Sequence, residues 1–251
     1  MITQLKYQIE IPDSLHPDSS WGYWFYAALM EHIPDEMADL FHLPDRTPIN
    51  QHLSISARER TVHWIVNILG DEAEQSLLSW LESIRELELR EYAHAFKLVL
   101  NGKRSFVDAN AFWNHAAEMP DAMVHRLSIA TPTAFRSNHR YVIFPDIRLI
   151  LQSLILRWNS IAPALGICDE DVIRMMETQI WVRDYRLQTQ RFEFKGQKIP
   201  GFCGTIWLQN RLSAPLLEIW KGLLLFSEFS GMGIKTALGM GAVEMSNETK
   251  K

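Results

Sequence analysis

One lysine held among closely spaced glycines is the part of this chain most equipped for chemistry. In Phe229-Ser-Gly-Met-Gly-Ile-Lys-Thr-Ala-Leu-Gly-Met-Gly-Ala-Val243, Gly231, Gly233, Gly239 and Gly241 surround Lys235. Glycine accepts positive φ and lets a ligand approach the main chain closely. Such a run offers backbone N–H donors together with one ammonium, a combination suited to a phosphate backbone. Nucleotide-cofactor loops follow a strand and open a helix. Here an apolar helix over 213–230 comes first and a strand over 240–245 follows. Thr236 stands where the third glycine of GxGxxG would fall, and no GxxxxGK[ST] occurs. Both facts argue against a small-molecule nucleotide enzyme.

The charge is divided along the chain. The net charge is −5, but residues 1–125 hold 9 Lys+Arg against 19 Asp+Glu and residues 126–251 hold 16 against 11. The basic half is mostly arginine, with Arg126, Arg136, Arg140, Arg148, Arg157 and Arg183 in one stretch. An anionic partner lying on one half leaves this footprint. There is no HExxH, no paired CxxC and no evident carboxylate cluster for two-metal work. Cys168 and Cys203 stand far apart and read as reduced, buried, small hydrophobes. With 47% hydrophobic residues the chain can bury a full core. No apolar run approaches membrane-spanning length and Met1-Ile-Thr-Gln-Leu-Lys carries no signal-peptide pattern, so a cytoplasmic protein with no membrane partner is expected.

The elements that would position these groups follow from periodicity. Leu5, Tyr7, Ile9 and Ile11 alternate with polar residues as a strand. Trp21, Trp24, Phe25, Ala28 and Leu29 make a helical stripe that His32 extends, capped by Ser19 or Ser20 and stopped by Pro34. Strands follow over 50–56 and 60–68, then a helix opened by Gly70-Asp71, then a strand through Phe96, Leu98 and Leu100 that ends at the Asn101-Gly102 turn signal. The order is β-α-β-β-α-β. It recurs with a strand from Val124 to Thr131, a helix from Ile147 to Trp158, and a helical turn over 169–177. Strands over 180–195 and 201–208, joined around Gly196 and Pro200-Gly201, a helix capped by Ser213, and a strand from Ala242 to Met245 complete it. This pattern predicts an α+β chain of two tandem ferredoxin-like (RRM-like) domains, over 1–122 and 123–251.

With that order, Ser128-Ile-Ala-Thr-Pro-Thr-Ala-Phe-Arg136, Leu154-Ile-Leu-Arg-Trp-Asn159, Gly201-Phe-Cys-Gly-Thr205 and the Gly231-to-Gly241 loop resemble one family. It is the CRISPR-associated endoribonuclease family that cuts precursor CRISPR RNA within its repeats, in the RAMP superfamily. The resemblance is strongest over 126–245 and loose over 1–125. It implies metal-independent cleavage without a cofactor: a ribose 2′-OH attacks the adjacent phosphate, leaving a 2′,3′-cyclic phosphate and a 5′-OH. That reaction needs a base, an acid and a cation for the phosphorane charge.

The resemblance also places roles. The family's catalytic histidine follows the first helix, where this chain has His42 in Leu40-Phe-His-Leu-Pro-Asp-Arg-Thr-Pro48. Tyr26, Arg46, His52 and Lys235 are accessory candidates. Arg136 and Arg140 are placed as RNA-backbone contacts, with Gly231, Gly233, Lys235, Gly239 and Gly241 as the RNA-binding loop. The tryptophans read as core. The implied partner is CRISPR repeat RNA, with a CRISPR effector complex as a further one and the chain a monomer or homodimer. The alternative from another class is a non-catalytic RAMP-fold subunit that holds guide RNA in an effector complex.

Overall fold

The computed structural model describes residues 1–33, 47–56, 61–92 and 94–247. Alternating apolar residues build β1 (Ile2–Ile9), whose Leu5, Tyr7 and Ile9 point to a helix-covered face. The helices on that face are α1 (Gly22–Met30) and α2 (Asp71–Ser83). With β2 (Ile49–Ser56), β3 (Thr61–Leu69), β4 (Glu86–Leu89) and β5 (His94–Phe106), β1 forms an antiparallel sheet of order β2-β3-β1-β5-β4. The first four of these have the ferredoxin-like order, and β4 is an added edge.

The second sheet comprises β6 (Val124–Thr133), β9 (Ile180–Phe194), β10 (Gln197–Asn210) and β11 (Val243–Asn247), in the order β11-β6-β10-β9. It is covered by α4 (Ile147–Ile161) and α6 (Ala214–Ser230). Between these elements lie α3 (Ala109–Glu118), the short hairpin β7 (Phe135–Ser137) and β8 (Arg140–Val142), and α5 (Glu170–Gln179). The expected pair of ferredoxin-like units is therefore present. No helix of the described residues is long and apolar enough to cross a membrane.

A third cluster joins the halves: Ile2, Leu69 and Phe106 of the first sheet pack with Phe112 of α3, Trp158 of α4 and Phe226 and Phe229 of α6. Arg104 ties the same surface, with Nη1 3.0 Å from Glu228 Oε2 and its guanidinium 4.9 Å from the Phe229 ring.

Several local expectations change. Asn101-Gly102 is not a turn. β5 runs through it to Phe106, and Tyr7 pairs with Leu100 while Lys6 pairs with Gly102, so Asn101 is absorbed as a bulge. Pro200-Gly201 lies inside β10; β6 ends at Thr133, opposite Phe202, so Pro200 meets a partner strand on the β9 side alone. His32 is exposed, because α1 ends at Met30 and the helical stripe does not continue; its ring stacks on Trp80 at 4.7 Å. Cys168 is exposed, whereas Cys203 is buried.

Candidate nucleic-acid interface

Gly231 ends α6 at φ +66 and opens a loop that returns beside β6. Gly233 is at φ +80, Gly239 at +111 and Gly241 at +75. A Cβ on Gly233 would lie 2.2 Å from the Ala134 carbonyl oxygen, and one on Gly241 would lie 2.1 Å from that of Met232. These glycines are therefore demanded by close backbone approach as well as by φ.

Their amides are used internally, which corrects the expectation of outward-facing donors. Gly231 N–H donates to Ser227 O, Gly233 to Ser153 Oγ, Gly239 to Thr236 O and Gly241 to Pro132 O. The glycines shape the loop, and what they turn outward is Lys235.

Lys235 is itself left-handed, at φ +55. Its ammonium sits 4.3 Å from the centroid of Phe194, and Lys195 lies 5.6 Å from the same ring. Burial, followed by the positive charges of Arg136 and Lys195, holds the Lys235 ammonium below the usual lysine range. Among the described residues no carboxylate pairs with Lys235, Arg136 or Lys195. Three cations gathered without an anion are repelled by one another and relieved by a bound phosphate. Arg136 is exposed, as is Arg140 four residues along the β7–β8 hairpin.

The first domain holds this loop from the other side. Gln51 of β2 donates through Nε2 to Gly22 O and Ala237 O, each at 2.8 Å, while its Oε1 accepts from Trp64 Nε1. The tip of the β9–β10 hairpin also docks on that domain. The Glu193 N–H donates to Ser20 Oγ at 2.8 Å, and Phe194 meets Tyr23 edge-on at 5.1 Å. The cations thus stand at a seam between the halves, in a cluster where Tyr23, Phe194, Ile234 and Leu238 pack on Phe192 and Met240.

His42 and Arg46 lie outside the described residues. His52 is 4% exposed, and burial lowers its pKa from 6.5 to about 4. A neutral ring enclosed in β2 cannot reach an RNA strand, so the accessory role considered for it is not available. Tyr26 is half-buried on the first core, and burial raises its phenol above the usual 10, keeping it protonated as a donor. Gln51, Ser153, Arg157, Phe194 and Lys195 were not foreseen as part of this site. Only Arg157 carried a signal, as the one charge in the apolar run Leu154-Ile-Leu-Arg-Trp.

Residues 127–243 match the family model for CRISPR-associated endoribonuclease Cas6. A CRISPR-associated endoribonuclease Cas6 from Streptococcus thermophilus is 29% identical over 230 residues, covering 92% of this chain and 93% of that one. The chain is thus similar to Cas6 endoribonucleases, by the family model over its second half and by these relatives over most of its length. A Cas6 endoribonuclease of Mycobacterium tuberculosis is 25% identical over 250 residues, covering 96% of this chain and 76% of its own. Among solved structures, a Cas6 product complex superposes with a TM-score of 0.75 at 21% identity, covering 98% of this chain and 100% of that one. Thermus thermophilus Cas6 does so at 0.69 and 22%, covering 98% and 97%. At such identities the structural likeness speaks for the fold. The span matched by the family model begins in β6 and ends in β11, so it includes the whole glycine loop and both arginines of the β7–β8 hairpin.

Proposed function

We propose that this chain is a Cas6-type endoribonuclease that cleaves precursor CRISPR RNA within its repeats, without a metal or cofactor. The attacking 2′-OH closes on the adjacent phosphate, giving a 2′,3′-cyclic phosphate and releasing a 5′-OH. The reading rests on its extent of kinship with named endoribonucleases, over 92% of its own length and 93% of a relative's. The cations at the domain seam, which have no carboxylate partner among the described residues, support it.

In this reading, residues 123–251 grip the RNA. Lys235, Arg136 and Lys195 neutralise phosphate charge, and Arg140 extends the contact along the hairpin. Residues 1–122 supply proton transfer through His42, assigned by its place after α1, with Arg46 four residues on as a second phosphate contact. Tyr26, protonated, serves as a donor rather than a base. The strongly acidic first domain keeps RNA to its border with the second. The protein acts in the cytoplasm as a monomer or homodimer and hands its product to a CRISPR effector complex.

The test uses labelled repeat RNA in EDTA with wild type, His42→Ala, and an RNA carrying a 2′-deoxy at the cut. Cleavage by wild type alone, abolished by either change, is the expected result. Tight binding with no cleavage under any condition would replace this reading with the RNA-holding subunit.

A further inference from the structure

The cations proposed to meet RNA need a fixed geometry, and the loop that carries Lys235 is held by a helix of its own domain. Ser153 and Arg157 are four residues apart on α4, so they project from the same face. Ser153 Oγ accepts the Gly233 N–H at 2.9 Å. Arg157 Nη2 donates to the carbonyl oxygen of the same glycine at 2.8 Å. Both polar groups of one loop residue are thereby captured by one helix. Arg157 Nη1 also donates to Ser230 O and to Thr236 Oγ1. Arg157 is 8% exposed, and its guanidinium grips the chain on both sides of Lys235, at Gly233 and at Thr236.

We propose that Ser153 and Arg157 are positioning residues that clamp Gly233 and Thr236 and so aim the Lys235 ammonium at an RNA phosphate. The proposal rests on the endoribonuclease reading for its last step, but the clamp itself stands without RNA. Three acceptors around one planar fork suit arginine, whose donors point in fixed directions. A lysine ammonium is a compact charge on a flexible stem and cannot reproduce that fork. The clamp also secures an otherwise unfavourable conformation: Lys235 holds φ +55 without being glycine, while its carbonyl accepts from Leu238 and Met240. Gly233 is closed from the other side, since the Ile234 N–H donates to Ala134 O. The charges facing the ammonium are Arg136 and Lys195, so its place relative to them decides how strongly it is drawn to an anion.

Two variants and a double-mutant comparison test this. Arg157→Lys and Ser153→Ala should each lower the single-turnover cleavage rate by roughly 10- to 100-fold, as a misplaced group does. Affinity for the uncleavable 2′-deoxy repeat should fall by no more than it does in Lys235→Met. In a Lys235→Met background neither change should slow the reaction further. In ¹³C-lysine-labelled protein without RNA, the Lys235 ε-carbon should titrate nearer to exposed lysines in both variants than in wild type. Ser153→Ala retains the buried guanidinium and so serves if Arg157→Lys does not fold. Losses that multiply with Lys235→Met, or an unmoved Lys235 titration, would overturn the clamp. A moved titration in a protein that cuts no repeat RNA would uphold the clamp and remove the endoribonuclease reading instead.

Discussion

Single residues here are governed by where their charge can go. Lys235, Arg136 and Lys195 face one another without a carboxylate among the described residues, so each should contribute to phosphate binding through counterion release. Lys235→Met and Arg136→Ala are expected to weaken repeat binding and each to flatten the salt dependence by about 0.7 to 0.9 in log–log slope. An unchanged slope over a salt series would move the RNA elsewhere. His52 makes the opposite case. Its folded pKa, about 4, lies below the ordinary 6.5. The unfolded chain therefore binds the extra proton first, so stability is complete above pH 6.5 and falls as pH drops toward 4. The loss amounts to roughly 3 kcal/mol. Chemical denaturation of wild type and His52→Asn across that window should show the acid-side loss reduced in the variant.

Among the elements, the glycine loop shows that one residue type serves distinct purposes. Gly233 and Gly196 both hold positive φ, at +80 and +74. Around Gly233 a Cβ meets the Ala134 oxygen, while around Gly196 nothing lies within 4 Å. Gly196→Ala should then incur only the left-handed penalty, about 1–2 kcal/mol. Gly233→Ala should lower Tm further and also weaken RNA binding, because the loop must move to admit the methyl. Thermal melts of the two variants side by side separate these contributions. The run of glycines and a lysine was visible in the sequence, but its internal hydrogen bonds were not. Those depend on Ser153 and Pro132, which lie 80 and 109 residues away from their partners in the chain.

At the scale of the whole molecule, two ferredoxin-like units meet through an aromatic cluster and a hairpin tip. Phe229 is fully buried between them, against Phe106 and Phe112. Phe229→Ala should cost about 3–5 kcal/mol through the cavity it leaves. Arg104→Ala should cost about 1 kcal/mol or less, since its pair with Glu228 is partly exposed. Calorimetry should show one transition in wild type and two separated ones in Phe229→Ala if this cluster couples the domains; a single transition retained would show that the coupling lies elsewhere. The polar contact of Glu193 with Ser20, 173 residues apart, has no counterpart in periodicity or composition.

The sequence alone determined what depends on local order. Alternation along β1 and the stripe Trp21, Phe25, Ala28, Leu29 define one unit, and their recurrence after residue 123 defines the second. The charge division and the glycine run pointed to the C-terminal half for an anionic partner for the same reason, since both are properties of neighbouring residues. Tertiary structure decided what depends on distant groups meeting. It enclosed His52, turned Asn101-Gly102 from a hairpin signal into a bulge opposite β1, and placed Lys235 between Phe194 and Arg136. It also made Arg157, an isolated charge in an apolar helix, the support of the loop, because only packing brings the Ser230, Gly233 and Thr236 oxygens to one guanidinium.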